Sequence, residues 1–538
     1  MTAQTDRFVH DRLPSRSDWP VFIYAPGSPS GEQPLNLIHE LLDKSLQAPW
    51  ADKVLFRDPN QTITYREANA LVNQRALAIL HMGLEPGNRV LLRGSNSIGF
   101  ALAWLAIVKA GLVAVATMPL LRAKELNEII LKAQPQLVLC DMALLIEMNI
   151  ARDAHGKSLP LIPFGDAVAP HGLESLSANQ PNKFEACATI GDDIALLAFT
   201  SGTTGLPKVA CHSHLDVWSA CKAWPSHVLN STHNDVVVGS PPLAFTFGLG
   251  GLLLFPMTVG ASVYFAQGPL NPETMVKAMQ DAACTICYTA PTFYRHMAAV
   301  IATQPVPSLR ISVSAGEALP DATRQLWKSA TGLEMVDGIG ATELFHIFIS
   351  SAAENVRAGT IGQVVPGYLA CVISETGDEL PSGQIGILAV RGPTGCKYLS
   401  DQRQKSYVHN GWNITGDIVL QDIDGYIHYQ SRSDDMIISA GYNIGGPEVE
   451  DALLSHPAVA ECGVVGKPDA ERGMVVQAFC VLSKGYEPGP ELIKLLQDHV
   501  KSTLAPYKYP RDMVFLNQLP RTPTGKLQRF KLRDLNPT

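Results

Sequence analysis

"AFTSGTTGLPKVACHSH", residues 198–214, carries two glycines, a run of hydroxyls and a lysine. It is entered from the apolar run "IALLAF", which reads as a buried strand. Gly202 and Gly205 let backbone N–H groups approach phosphate oxygens closely, the hydroxyls add neutral donors, and Lys208 adds a compact cation. The spacing is not that of G-x-x-x-x-G-K-[ST], because the stretch ends Gly205-Leu206-Pro207-Lys208. A Thr/Ser/Gly surface turn has the same composition, so the rest of the chain has to decide between the two.

Working outward, short Val/Ile/Leu/Ala runs alternate with amphipathic stretches up to about residue 430. In one such unit Asn271 suits an N-cap, Pro272 the first helical position and Glu273 the positive helix end. Met275, Val276, Met279 and Ala283 then share a face, a strand over 285–289 follows, and Pro291 opens the next helix. Repeated units of this kind predict an α/β fold with largely buried sheets. The window 98–121 is the most apolar, but Lys109 and Gly111 interrupt it, and it reads as a helix followed by a buried strand rather than a membrane span.

The texture changes at Ser433–Asp434. Pro447 and Glu448 start a short helix with Val449, Ala452 and Leu453 on one face. Strands over 459–465 and 475–481 follow, then a helix over 490–504 with Leu492, Leu495, Leu496 and Val500 inward. The expectation is a large multi-layer α/β domain over 1–433 and a small mobile α+β domain over 434–538.

The 538 residues are 46% hydrophobic and 17% charged, which suits a globular enzyme with a large core. A net charge of −8 argues against general nucleic-acid binding. Eight basic and two acidic residues lie from Lys501 to the end, so the C-terminal end is basic on an acidic body. That suits a polyanionic small molecule, and equally an idle basic face. Ten cysteines show no disulfide framework, and the lone Cys284/Cys287 pair reads as buried thiols in a strand. His212 and His214 read as structural. The polar N-terminus lacks a signal-peptide core, so a cytoplasmic protein is expected.

Three more segments carry chemistry. In "DGIGATELFHI", Glu343 follows a glycine turn and suits a Mg²⁺ ligand, with Thr342 a phosphate contact; an ordinary helix start reads the same way. Asp417 sits in a Thr-Gly-Asp turn before a strand, with Arg432 fifteen residues on. A carboxylate accepts both ribose hydroxyls, and the arginine reaches ribose or phosphate; a hairpin acid with a surface ion pair is the alternative. In "RTPTGKLQRFKLR", Pro523 and Gly525 hold a loop that presents Lys526, unless it is a solvated basic tail.

In this order and spacing the segments resemble the adenylate-forming superfamily of acyl-CoA synthetases, adenylation domains and luciferases, over nearly the whole chain. The resemblance implies ATP, Mg²⁺ and coenzyme A as cosubstrates. It implies that Thr200, Ser201, Gly202, Thr203, Thr204, Gly205 and Lys208 hold the ATP phosphates. Ala315, Gly316, Glu317, Asp337, Gly338, Ile339 and Gly340 would line adenine and the acyl group, with Ile339 where the family usually has tyrosine. It further implies that Thr342 contacts the α-phosphate, Glu343 the metal, and Asp417 and Arg432 the ribose. Asp434 would be the hinge, Gly441 would line the pantetheine tunnel, and Lys526 would be the catalytic lysine of the first half-reaction.

"DRLPSRSDWPVF", "ATMPLLRAKEL", "FTFGLGG" and "GPTGCKYLSDQRQKSYVHNGWNITGD" resemble more narrowly the 2-aminobenzoate and benzoate group of aryl-CoA ligases. This implies an aromatic acid held by Phe245, Phe247, Ala315, Gly340, His346 and Ile347, with Gly248, Gly338 and Gly340 letting a ring approach the backbone. His346 is the candidate partner of an ortho amino group; a histidine bonded only to backbone is the alternative. A benzoate ligase, an enzyme loading a carrier-protein thiol, and a nucleotide-binding regulator without chemistry remain competing readings. The expected partners are small molecules, with the chain a monomer or homodimer that feeds aromatic degradation or secondary-metabolite synthesis.

Overall fold

The computed structural model describes residues 2–155, 159–165, 169–200, 207–439, 442–469, 471–522 and 525–535. Among these residues the strands form four sheets. A six-stranded sheet runs Leu161–Phe164, Leu137–Asp141, Arg89–Arg93, Val113–Thr117, Ile194–Thr200, Lys208–Ser213. Only the last strand is antiparallel to its neighbour. A nine-stranded sheet carries Val236–Gly239, Ile286–Thr289, Ile311–Ala315 and Met335–Gly340 as parallel neighbours at its centre. Strands covered on both faces read as unbroken apolar runs, and Val90, Leu91 and Leu92 are accordingly all buried.

The helix Ile98–Lys109 and strand Val113–Thr117 account for the apolar window. Ser97 caps the helix through its side chain, and Trp104 is wholly buried. One core takes in this helix and residues of both large sheets, including Leu92, Leu139, Val263 and Val313. Lys109 ends the helix inside that core. Its ammonium is fully buried, paired with Asp43 and bonded to Asn73 Oδ1 at 2.5 Å. A buried cation is tolerable only with such partners.

Leu369–Ile373, Ile385–Arg391, Trp412–Gln421, Val408–His409 and Ile427–Arg432 make a third, antiparallel sheet. The next strand, Ile437–Ser439, belongs to the fourth sheet, with Tyr442–Ile444, Val459–Asp469, Gly473–Leu482 and Asp512–Phe515. Asp434 lies in the turn between the two sheets. The fourth sheet has its own core of Ile437, Val449, Leu453, Val464, Val476, Leu496 and Val500.

Three local expectations change. The helix Pro272–Ala282 has the Asn271 cap, but Ala283 is its left-handed C-cap at φ +52 and exposed, and Ala282 takes the buried position. In helix Pro490–Thr503, Leu495 faces outward, 52% exposed, because only Leu496 and Val500 meet the sheet fully. Asp417 lies within the ten-residue strand Trp412–Gln421, not in a turn before it.

One buried ion pair ties the large domain together. Lys397 Nζ lies 2.5 Å from Asp216 Oδ2, and both side chains are almost fully buried. Asp216 closes the capping box of helix His214–Lys222. Lys397 also sits 5.1 Å from the Trp19 ring and 5.3 Å from Phe22, which anchors the N-terminal segment. Removing one partner leaves the other charge buried and alone. Lys397→Met should therefore lower unfolding stability by about 3–5 kcal/mol, measured by urea denaturation.

Candidate functional site

Ser201, Gly202, Thr203, Thr204 and Gly205, and also Gly441, lie outside the described residues. The flanks of the loop are described. Thr200 and Lys208 are register partners at the ends of two antiparallel strands, so the loop leaves and re-enters the sheet at one point. Lys208 Nζ lies 5.5 Å from the centre of the Tyr398 ring. The Tyr398 hydroxyl donates to Glu343 Oε1. Burial, and then the charge of Glu343, push the Tyr398 pKa far above the usual phenol value, so it remains a donor. Sequence reasoning missed Tyr398, which joins the loop flank to the expected metal ligand.

Glu343 sits in the short 3₁₀ turn Thr342–Leu344, just past strand Met335–Gly340. His212 Nε2 donates to the Thr342 carbonyl at 2.7 Å. Phe345 then adopts φ +70 and ψ −50, and His346 N–H bonds back to Leu344 O at 2.9 Å. This is a γ-turn of the rare, strained hand, costing about 1–3 kcal/mol at a residue with a side chain. Phe345 is held there by complete burial and by edge contact with the His212 ring at 5.4 Å. His212 is thus structural, as expected, but what it supports is the site.

The turn delivers His346 into a nest of rings. Its centroid lies 4.5 Å from Phe255, 5.2 Å from Trp224 and 5.6 Å from Phe247. Tyr288 packs on Phe247 and Trp224. Gly250 and Gly251 make this possible: a Cβ at 250 would lie 2.7 Å from His346 and one at 251 would lie 2.6 Å from Tyr288. His346 Nε2 faces the Phe247 carbonyl at 3.3 Å and donates to it. Nδ1 is then a buried acceptor without a partner among the described residues, as is the Trp224 Nε1 donor.

The pocket differs from expectation in two respects. Phe245 is half-buried and makes none of these ring contacts, because it caps the next helix. Gly248, Gly338 and Gly340 do not open the backbone to a ring. A Cβ there would meet Pro242 O at 2.2 Å, the Ile347 side chain at 2.7 Å and His346 O at 2.7 Å, so the protein itself fills that space. Ala315 and Ile347 are buried on the two strands that flank Met335–Gly340, with Ala315 opposite Gly338 and Ile347 opposite Gly340. Trp224, Phe255 and Tyr288 were missed because each comes from a different element.

Ile339 and Asp337 share the strand leading to the turn. Asp337 is buried, its Oδ1 has no partner among the described residues, and burial raises its pKa to about 6. Gly316 turns at φ +96, with Lys526 Cε 3.6 Å from where a Cβ would stand. Glu317 accepts from Thr292 at 2.7 Å and from Arg521 at 2.9 Å. Arg432 Nη1 meets Asp417 Oδ1 at 2.9 Å, the two being register partners on adjacent strands. Lys526 still reaches solvent. Burial around its ammonium lowers its pKa below the ordinary lysine value, opposed chiefly by Glu317.

Among the described residues no cluster of three or more His, Cys, Asp or Glu side chains could cage a metal. One carboxylate, Glu343, fits an ion that arrives with phosphate ligands and waters of its own, as Mg²⁺ does. No described helix is long and apolar enough to cross a membrane.

A family model described as AMP-binding enzyme matches residues 43–398, and one for the AMP-binding enzyme C-terminal domain matches residues 448–526. A benzoate–CoA ligase of Thauera aromatica is 35% identical over 510 residues, 93% of this chain and 95% of the relative. The crystal structure of the anthranilate CoA ligase AuaEII in complex with anthranoyl-AMP superposes with a TM-score of 0.88 at 34% identity, covering 93% and 97% of the two chains. A benzoate CoA ligase from Burkholderia xenovorans LB400 gives 0.84 at 31% identity, covering 93% and 99%.

Three buried histidines set a pH limit. Burial pushes His212 down to about 4, and His214 and His346 to about 3. The unfolded chain therefore binds protons that the folded chain refuses. Their stabilising contribution is whole above the ordinary pKa of 6.5 and is lost as pH falls from there, down to about 4 for His212 and about 3 for His214 and His346. Stability should drop by about 1.4 kcal/mol per pH unit for each histidine, read from urea midpoints between neutral and mildly acid pH.

Proposed function

The chain belongs to the AMP-binding enzymes, and from that premise we propose that it is an aryl–coenzyme A ligase whose preferred acid is 2-aminobenzoate. It is an AMP-forming acid–thiol ligase that uses ATP, Mg²⁺ and coenzyme A. A carboxylate resists attack by a thiol because its leaving group is oxide. Attack by the carboxylate on the α-phosphate of ATP breaks the bond to the β-phosphate, releases pyrophosphate and leaves an acyl-AMP, from which the coenzyme A thiol then displaces AMP. The first step joins two anions, so cations and donors must cancel charge where the bond forms.

In this reading Thr200 to Gly205 and Lys208 hold the ATP phosphates, and Thr342 contacts the α-phosphate. Bound Mg²⁺ would share Glu343 with the phosphates and cancel part of their charge. Asp417 takes the ribose hydroxyls with Arg432 beside it, and Asp337 and Ile339 lie on the adenine side. Lys526 stabilises the charge that develops during adenylation. Asp434 is the hinge on which the small domain turns between steps, and Gly441 lines the path of pantetheine.

The observation that carries the choice of acid is the buried Nδ1 of His346, which has no partner among the described residues. It is a neutral acceptor inside an aromatic nest, and an ortho amino group bonded to its own carboxylate offers a spare N–H. The anthranilate CoA ligase of similar fold is consistent with this. Benzoate is the second reading, because the rings around His346 would hold an unsubstituted ring and the Thauera relative is a benzoate–CoA ligase.

A panel of ring-substituted benzoates should give AMP only when coenzyme A is present, with 2-aminobenzoate the best substrate. AMP formation with a carrier protein but not with coenzyme A would overturn this. Lys526→Ala should lower adenylate formation by about 10² or more, while thioester formation from supplied adenylate suffers less. His346→Ala should erase the preference for 2-aminobenzoate over benzoate; an unchanged ratio of kcat/KM would refute the assigned contact.

A further inference from the structure

We infer that Arg521 is the positioning residue for Lys526, latching its loop onto the large domain and keeping the lysine uncommitted. The inference rests on the two-step reading above and goes beyond it, to what sets the lysine in place.

The Arg521 guanidinium makes three contacts. Nη1 donates to Glu317 Oε1 at 2.9 Å and to the Gly525 carbonyl at 2.7 Å. Nη2 donates to Glu461 Oε2 at 2.7 Å. Glu317 belongs to the large domain, Glu461 to the small one, and Gly525 is the residue before Lys526. One rigid, planar group therefore ties the lysine's own loop to both domains. The loop is closed on itself besides. Thr522 N–H bonds Lys526 O at 2.7 Å, and Lys526 N–H bonds Thr522 Oγ1 at 3.0 Å.

The latch also settles a competition. Glu317 is the main carboxylate attracting Lys526. A free Glu317 would draw the ammonium into an ion pair and away from a reacting phosphate. Its Oε1 is instead taken by Arg521 and its Oε2 by Thr292. Among the described residues Lys526 forms no ion pair within 4.0 Å. Arg521 is the cation that can satisfy Glu317, because its fork reaches Glu317 and Glu461 together. Other contacts, such as Arg295 on the carbonyls of Leu454, Val459 and Ala460, hold the domains together without touching the lysine loop.

The test separates the half-reactions in the full-length enzyme. Arg521→Ala should slow benzoate-dependent ATP–pyrophosphate exchange at saturating MgATP by about 10²-fold, the size of effect a misplaced catalytic group gives. Thioester formation from supplied aryl-adenylate should stay within about 3-fold of wild type, because a different domain orientation serves that step. Arg521→Lys, which keeps the charge but not the fork, should recover part of the exchange. Equal loss in both half-reactions, or no loss in exchange, overturns the latch. A wild-type chain with no exchange on any benzoate overturns the proposed function as well, which distinguishes the two failures.

Discussion

The strained turn at Phe345 is the constraint on which the site depends. A backbone at φ +70 on a phenylalanine reverses the chain within one residue. It lets Glu343 face Tyr398 while His346, three residues on, faces the rings of Trp224 and Phe255. In the proposed reading one chain segment thus serves both the phosphate side and the acyl side, and the length of this turn sets how far apart the two reacting groups are held. Relaxing it would cost alignment on both sides at once. The strain is borne by packing, namely His212 on the Thr342 carbonyl and against the Phe345 ring.

Much of this could be read from residue order. The apolar run with a lysine at its end gave a helix and a strand, since periodicity and length report burial directly. The strand before the phosphate-type loop, the Asn271 cap and the change of texture near Asp434 are local signals and have local counterparts in the structure. The Asp417–Arg432 ion pair was the alternative to a ribose-binding role, and it is present in the structure because the two residues face each other across adjacent strands. A spacing of fifteen residues is what a hairpin of that length produces.

What escaped the sequence is contact between elements far apart. Trp224 and Phe255 meet His346 from separate segments, with Tyr288 packed behind Trp224 from a third, and no pattern within any one of them marks it. The glycines were misread for a related reason. Gly248, Gly338 and Gly340 do permit close approach, but what approaches is the protein's own backbone and Ile347. Composition says that space is needed and not by whom. Leu495 and Ala283 show the same limit at smaller scale, where a helical wheel placed on the inner face a residue that the end of the packing surface leaves outside.

The N-terminal strap gives the site a remote margin. Trp19 and Phe22 lie over Lys397, and Tyr398, bonded to it covalently, holds Glu343. Gln404 reaches the carbonyl of Asp18, and Val21 and Ile23 add backbone bonds to Gly411 and Gly392. Residues 18–23 are thus part of the wall behind Glu343. Trimming or tagging this end is not a neutral engineering choice, and a difference in turnover between two preparations that differ only there has a ready physical origin.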